Sequence, residues 1–210
     1  LWNEGEIIET QYDKEGDPPS KDVTAVLEIT EPWSEPRIHR AFPGGIVELE
    51  AYRMEVVDGI HDHWVNPEEG KWEYTYHQRL RAYDAYEWEP GHAVGYEWEQ
   101  GAYQPIKIDQ IQYVIDSLKA CSYTRRAQAI TWQPWKDAGI SDPACLQRLW
   151  FRVLNGKLDM HAEMRSNDAF KAAFMNIYAF TDIQKQVADA IGVPVGRYVH
   201  FADSYHIYGS

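Results

Sequence analysis

The residues best suited to chemistry in this chain are a cysteine beside a proline turn, several arginines and an amide inside an apolar segment. Cys145 follows Pro143 and precedes a predicted strand, a place where a side chain can face a pocket. A thiolate there would be a good nucleophile if nearby cations lowered its pKa. The alternative is an inert buried thiol, because free cysteines are among the most buried residues. Cys121, at a predicted helix end, fits that alternative better.

Guanidinium groups stand out from the acidic background at two places. Arg125 and Arg126 are adjacent, and Arg165 precedes Ser166 at a predicted helix start. Free N–H groups at a helix N-terminus, a hydroxyl and forked guanidinium donors suit a phosphate dianion. Taken singly, Ser166 would only cap the helix and the arginines would pair with surface carboxylates. Together they favour a phosphomonoester over a polyphosphate, because the sequence has no glycine-rich phosphate loop.

Asn176 lies inside the apolar run AAFMNIYAF. A buried amide without a partner would cost about 1–3 kcal/mol, so this side chain needs hydrogen bonds. An amide donates and accepts side by side, which matches the imide edge of uracil. A flipped amide could meet cytosine, so neighbouring residues must fix its orientation. A core asparagine bonded to backbone is the structural alternative.

Three more polar residues lie close to these candidates. Asp168 is expected in the first turn of the predicted helix, where the helix dipole alone would favour a carboxylate. His206 and Tyr208 share one face of the final strand, because strand side chains alternate. Such a pair can hold a sugar hydroxyl, although a polar strand face is usually just solvated.

Metal binding has less support. His61 and His63 have a spacing that a metal could use, but no clear third ligand accompanies them. The two cysteines are too few for a disulfide framework and lack a paired spacing for zinc. We predict no metal. The aromatic run 72–77 could line a pocket for a flat ligand, although alternating aromatic residues more often form core.

Periodicity predicts the elements that would position these residues, and their order favours an α+β domain built on a mixed sheet. Residues 1–45 are rich in loop signals. The predicted strands are 23–29, 127–132, 149–153, 158–164 and 198–208, and the predicted helices are 46–59, 106–118 and one from Ser166 or Asn167 to about 191.

The composition restricts the class of protein. The chain has 210 residues, 44% of them hydrophobic, and a net charge of −13, which predicts a compact domain and argues against nucleic-acid binding by broad charge. No apolar run approaches the roughly 20 residues of a membrane span, and no leader is evident. We therefore predict a cytoplasmic protein without a membrane partner.

Five segments of the chain form a recognisable series: Tyr-Thr-Arg-Arg at 123–126, Pro-Ala-Cys at 143–145, Arg-Ser-Asn-Asp at 165–168, Asn-Ile at 176–177 and Asp-Ser-Tyr-His-Ile-Tyr at 203–208. The most specific feature is an Arg-Ser-x-Asp block followed eight residues later by Asn-Ile. In their order and their gaps, these segments resemble the thymidylate synthase family from about residue 76 to 208, including its archaeal branch and the related pyrimidine-nucleotide hydroxymethylases.

The resemblance implies one domain over residues 1–210, with a mixed β-sheet covered by helices; the family's C-terminal closing segment is expected to lie outside these residues. Cys145 would add to the pyrimidine 6-carbon. Arg165 and Ser166 would bind the 5′-phosphate. Arg125 and Arg126 would reach the same phosphate from the partner subunit of an obligate homodimer.

The resemblance also implies roles around the base and sugar. Asn176 would read the base, and His206 and Tyr208 would bind the deoxyribose 3′-hydroxyl. Asp168 would contribute to the ring and folate environment. Tyr76 would belong to the proton-transfer network at the 5-carbon.

Several positions depart from the family pattern. Lys21 occupies roughly the place of a phosphate-loop arginine. By spacing to Gly59, the glutamate that organises water near the 5-carbon falls on Tyr52, which leaves Glu55, Glu50 or Glu48 as candidates, and Glu55 is our choice. The usual His after the cysteine, Gln before Arg-Ser and helix Gly are replaced by Leu146, Met164 and Ala172.

The implied activity is a methyltransferase of the thymidylate synthase type, which converts dUMP to dTMP with 5,10-methylenetetrahydrofolate or an archaeal pterin analogue. The first alternative is a dUMP or (d)CMP 5-hydroxymethylase, in which water captures the same intermediate. The second is an inactive nucleotide-binding homologue.

Overall fold

A six-stranded mixed sheet organises this computed structural model, which describes residues 1–91, 93–94, 97–98 and 100–209. The strands are β1 (Glu6–Ile8), β2 (Ser20–Ile29), β3 (Tyr83–Glu89), β4 (Ala93–Val94), β5 (Glu97–Trp98), β6 (Ala102–Ile108), β7 (Gln128–Ile130), β8 (Leu146–Leu154), β9 (Lys157–Asp168) and β10 (Val195–Ile207). The helices are α1 (Ile46–Asp58), α2 (Tyr76–Arg81), α3 (Gln110–Ala120), α4 (Pro134–Asp137) and α5 (Ala172–Ile191). The predicted α+β class with a mixed sheet is confirmed.

The sheet order is β1-β2-β10-β9-β8-β7. Strands β9 and β10 are parallel and are joined by the crossover helix α5, whereas the other neighbours in this sheet are antiparallel. Parallel neighbours need such a crossover, because a hairpin can join only antiparallel strands. Strands β3 and β6 form a separate antiparallel pair.

The core lies between the sheet and the helices. Alternate residues of β9, from Leu158 and Met160 to Met164, are at most 1% exposed, as their period of two predicts. Helix α5 packs against β9 and β10, and α1 and α3 pack against α5. Helices α1 and α5 each end at a glycine with positive φ, Gly59 and Gly192, a conformation that glycine adopts without strain.

A buried ion pair joins α2 to α4. The Arg79 guanidinium donates to both carboxylate oxygens of Asp137 at 2.9 and 3.1 Å, and both residues are at most 3% exposed. A bidentate pair of this kind fixes the relative orientation of the two elements.

Two predicted element boundaries are wrong. Residues 106–108 belong to β6, because they pair with β3. Helix α3 begins at Gln110, where Asp109 is the N-cap and its carboxylate accepts a hydrogen bond from the Gln112 N–H at 2.8 Å. The aromatic stretch before residue 103, for which no helix or strand was predicted, contains α2 and β3.

The predicted helix start at Ser166 or Asn167 is also wrong. Strand β9 continues through Asp168, because Ser166, Asn167 and Asp168 pair with consecutive residues of β10. The helix begins at Ala172. Long-range strand pairing therefore overrides the local capping preference of these polar residues. No helix in the described ranges is long and apolar enough to cross a membrane.

Candidate active site

A cavity of about 270 Å³, called the thiol cavity here, lies where β8, β9, β10, α1 and α5 meet. It brings together seven of the predicted site residues, although they are spread over more than half of the chain. Those seven are Tyr76, Cys145, Ser166, Asp168, Asn176, His206 and Tyr208, and the other lining residues are Tyr52, Asn167, Ala172 and Met175.

Cys145 occupies the last position before β8, and Arg165 holds its loop. The Arg165 guanidinium donates to the carbonyl oxygens of Ala144 at 3.1 Å and Pro143 at 2.5 Å. The Arg165 backbone N–H donates to the Cys145 carbonyl at 2.9 Å. Arg165 was predicted to bind a phosphate, and its contacts with the loop before Cys145 were not predicted.

Burial raises the pKa of the Cys145 thiol above its usual value, the Arg165 charge opposes that shift, and Asp142 adds to it. The thiol is therefore protonated at neutral pH. Arg165 is not among the residues that line the thiol cavity, and its Nη1 atom has no hydrogen-bond partner within the described residues.

Two phenols border the thiol cavity beside Cys145. The Tyr76 hydroxyl oxygen accepts a hydrogen bond from the Leu146 N–H at 3.1 Å. The Tyr52 hydroxyl donates to Oδ1 of Asn176, which is 4% exposed. Burial raises the pKa of Tyr52 and of Tyr76 well above the usual value, so both phenols keep their protons. The cavity is thus lined here by neutral hydrogen-bonding groups.

Strand β9 contributes Ser166 and Asp168 to the cavity, which changes their predicted roles. Asp168 is the last residue of the strand instead of lying in a first helical turn, and its carboxylate accepts from the N–H groups of Phe170 at 2.9 Å and Ala172 at 3.4 Å. Ser166 does not begin a helix, so the predicted phosphate site at a helix N-terminus is wrong in its geometry. Ser166 still lines the cavity, from an extended strand.

A buried polar chain behind the cavity was not predicted. His200 is 0% exposed, with Nδ1 2.8 Å from the Tyr198 hydroxyl and Nε2 2.7 Å from Oδ1 of Asn167. The imidazole therefore accepts from Tyr198 and donates to Asn167. Burial lowers the pKa of His200 to about 4, so the ring is neutral. The available sequence signal was a histidine on the buried face of a strand, alternating with Tyr198 and Ala202.

His206 and Tyr208 line the thiol cavity from the end of β10 and the residue after it. Their rings lie 4.8 Å apart, centroid to centroid, in an edge-on arrangement. His206 is 7% exposed, with Nδ1 3.3 Å from the Ser204 hydroxyl oxygen. The predicted common face is therefore present.

A second cavity of about 580 Å³, the aromatic cavity, adjoins the first and shares Tyr52 and Tyr76 with it. Five of its eleven lining residues belong to the aromatic run 72–77, for which a flat-ligand pocket and a core position were the two alternatives. The lining residues are Tyr52, Glu55, Gly70, Lys71, Trp72, Glu73, Tyr74, Thr75, Tyr76, Ser141 and Asp142.

Of the three glutamate candidates, Glu55 lines the aromatic cavity. Its carboxylate lies 2.8 Å from Nδ1 of His61, whose ring stacks on Trp64. Glu50 instead accepts from the Tyr178 hydroxyl at 2.6 Å, and Glu48 accepts from a backbone N–H at the start of α1.

The remaining predicted residues lie outside the thiol cavity. Arg125 and Arg126 line a separate cavity of about 510 Å³ with Cys121, Tyr123 and Thr124. The Lys21 ammonium donates to the Trp2 carbonyl at 2.6 Å. Within the described ranges, no three His, Cys, Asp or Glu side chains are grouped to hold a metal.

The chain is similar to known proteins over most of its length. The family model described as thymidylate synthase matches residues 48–210. A putative thymidylate synthase of Methanocaldococcus jannaschii is 31% identical over 99% of this chain and 82% of its own length. A putative thymidylate synthase of Methanosarcina acetivorans is 27% identical over 99% of this chain and 81% of its own length.

Proposed function

The chain belongs to the thymidylate synthase family, and we propose that it converts dUMP to dTMP through a covalent adduct of Cys145. The observation that carries this proposal is that Cys145 and the buried amide of Asn176 line one cavity. A nucleophile and an amide that can bind the pyrimidine base thus line the same small cavity. The other residue assignments, the extent of the domain over residues 1–210 and the cytoplasmic location stay predictions.

The chemistry begins at the pyrimidine ring. The Cys145 sulfur adds to the 6-carbon, which removes the conjugation of the ring and makes the 5-carbon an enolate-like nucleophile. Negative charge then develops on the 4-oxygen, where the Asn176 Nδ2–H group donates. Once the 5-carbon had bonded to the one-carbon unit that the cofactor would supply, the 5-proton would leave to a base as that unit separates from its carrier. A hydride supplied by the same cofactor would then add to the new carbon, expel the Cys145 thiolate and restore the conjugated ring.

Tyr76 is the candidate for moving that proton. Its hydroxyl oxygen accepts from the Leu146 N–H, which leaves its own proton to be donated, and the Tyr74 hydroxyl is one acceptor within reach. Because burial keeps this phenol neutral, it acts as a relay and not as a base. Glu55, which lines the aromatic cavity together with Tyr76, would take the proton through water in that cavity.

The aromatic cavity fits a folate or a related pterin. The faces of Trp72 and Tyr74 suit a flat ring, and the carboxylates of Glu55 and Asp142 suit its N–H groups. When bound, 5,10-methylenetetrahydrofolate or an archaeal analogue supplies the one-carbon unit and the hydride. Because the two cavities share Tyr52 and Tyr76, a pterin in the aromatic cavity would lie beside a pyrimidine in the thiol cavity.

Arg165, Ser166 and a second subunit complete the phosphate site in this proposal. Arg165 offers Nη1, and Ser166 offers its hydroxyl from β9. Arg125 and Arg126 line a different cavity of their own chain, which suits donation to the partner subunit's site in a homodimer. The Lys21 ammonium donates a hydrogen bond to the Trp2 carbonyl, and this bond would have to break before Lys21 could reach a phosphate.

The test is tritium release from dUMP labelled at the 5-position, with methylenetetrahydrofolate present. Wild-type protein and the control variant Cys121→Ser should release tritium, whereas Cys145→Ser should release essentially none while still binding dUMP. Undiminished release by Cys145→Ser would refute the proposal.

Mass spectrometry of the product distinguishes the alternatives. A methyl product supports the synthase, and a product heavier by one oxygen identifies a hydroxymethylase. The latter is the second candidate because a phenol, Tyr52, lies where the family spacing places a water-organising carboxylate. Binding of fluoro-dUMP without a covalent complex, with folate present, would indicate an inactive homologue.

A further inference from the structure

We infer that His61 is a positioning residue that holds the Glu55 carboxylate at the aromatic cavity, where Glu55 would take the proton that leaves the pyrimidine 5-carbon; this inference rests on the proposed function. Glu55 lines that cavity, and His61 is not among its lining residues. The His61 Nδ1 atom lies 2.8 Å from Oε2 of Glu55. His61 would therefore act on the reaction through Glu55.

The aromatic cavity needs a carboxylate here because a phenol occupies the place that the family spacing indicates. Tyr52 and Glu55 lie three residues apart on α1, so they share one face of that helix, and both line the cavity. Burial raises the pKa of Tyr52 well above its usual value, so this phenol is no base at neutral pH. Glu73 and Asp142 also line the cavity, but both are exposed, whereas Glu55 is partly buried.

The hydrogen bond between the two side chains has one direction at neutral pH. An ionised carboxylate can only accept, so Nδ1 of His61 carries a proton and donates it. This bond occupies Oε2 of Glu55, and Oε1 has no hydrogen-bond partner in the part of the chain that the structure describes. His61 would keep its proton while Oε1 takes the 5-proton through water, and the resulting carboxylic acid would later release that proton to solvent.

The imidazole is itself held on two sides. Its face stacks on Trp64, with ring centroids 3.7 Å apart and planes 11° apart, and Trp72 meets it edge-on at 5.8 Å. The chain turns back at Gly59, where φ is 70°, and this turn returns His61 to Glu55 in the last turn of α1. A fixed donor restricts the carboxylate to one position, and misplacing a reacting group by about 1 Å can cost roughly hundredfold in rate.

Two substitutions separate the hydrogen bond from the ring packing. His61→Phe keeps a flat ring for Trp64 but has no donor, so single-turnover tritium release from 5-labelled dUMP should slow by roughly ten- to hundredfold. His61→Asn loses the ring but places an amide N–H close to the position of Nδ1, so it should recover most of the rate. Slower release by His61→Asn than by His61→Phe would assign the effect to packing and overturn the inference.

The matched control is His63→Phe. His63 is an exposed histidine of the same short turn, and its ring meets Trp64 edge-on at 5.8 Å. This variant should release tritium at the wild-type rate. A loss as large as that of His61→Phe would show a general disturbance of the turn and overturn the inference.

Fluoro-dUMP tests whether the cavities stay intact in His61→Phe. Its 5-carbon carries fluorine, so the covalent complex with Cys145 and methylenetetrahydrofolate forms without removal of a 5-proton. His61→Phe should form this complex at the wild-type rate, measured on denaturing gels. A loss of complex formation equal to the loss of tritium release would show a structural role and overturn the inference.

A double variant tests whether His61 acts through Glu55. Glu55→Gln should slow tritium release, and adding His61→Phe to it should change the rate by less than about twofold, because no base remains to be positioned. A full further loss would show that His61 acts independently of Glu55 and would overturn the inference.

The outcomes also separate this inference from the proposed function. Wild-type protein that releases no tritium contradicts the proposed function. Wild-type release with an equal rate in His61→Phe overturns the inference and leaves the proposed function intact.

Discussion

The burial of His200 predicts a specific loss of stability in mild acid. The ring is 0% exposed, donates to Asn167 and accepts from Tyr198, so a second proton on Nδ1 would compete with the tyrosine donor. Burial lowers the pKa of His200 in the folded protein from 6.5 to about 4. In the unfolded chain the ring titrates near its ordinary value of about 6.5.

Whether the free energy of unfolding rises or falls with pH depends on which state binds more protons. Between about pH 6.5 and pH 4 the unfolded chain binds more protons than the folded protein, so the free energy of unfolding falls as the pH falls. Above about pH 6.5, the neutral His200 ring makes its full contribution to the free energy of unfolding. We expect about 2 kcal/mol of it to be lost by pH 5 and about 3 kcal/mol by pH 4.

Urea unfolding at pH values from 7.5 to 4.5 measures this effect in wild-type protein and in His200→Gln. Glutamine can donate and accept but does not titrate. The variant is expected to be less stable at pH 7.5, and the difference from wild type should shrink by about 2 kcal/mol at pH 5. Other titrating groups are common to both proteins and cancel in the difference. Parallel pH profiles would refute the reasoning.

Two further predictions concern the nucleophile and the buried ion pair. In Cys121→Ser, iodoacetamide should alkylate Cys145 slowly at pH 7.5, with a rate still rising above pH 9, because burial raises the thiol pKa; a rate that levels off below pH 8 would contradict this. Arg79→Met should lower the urea-derived free energy of unfolding by about 3–5 kcal/mol, because it leaves the Asp137 charge buried and unpaired. Adding Asp137→Asn should recover part of that loss, and a single-variant loss below about 1 kcal/mol would contradict the assignment.

The alternating and helical patterns were enough to predict most of the sheet and its class. Strands β8, β9 and β10 and helix α1 bury the faces that their periods indicate, because one side of each faces the core. The extension of β9 to Asp168 was missed because its cause is pairing with residues of β10 far along the chain. Local capping signals cannot report such a partner.

The site was predicted in part for a similar reason. The segments around Cys145 and Asn176 are continuous and specific, so residue order identified them. Tyr52 was noted only as a departure in spacing, since its value lies in a hydrogen bond across two helices. The position of His200 on the buried face of its strand was readable from the alternation with Tyr198 and Ala202, but the pattern does not reveal that Tyr198 and Asn167 are its hydrogen-bond partners.

The parallel pairing of β9 with β10 has a consequence for how variants of this protein should be compared. Ser166 and Asp168 meet Ser204 and His206 only after helix α5 has crossed over, so these neighbours are about 38 positions apart in the chain. High contact order of this kind means that no short fragment preserves the arrangement, and that it forms together with the whole sheet. Turnover numbers of variants therefore become comparable after each is divided by its folded fraction at the assay temperature.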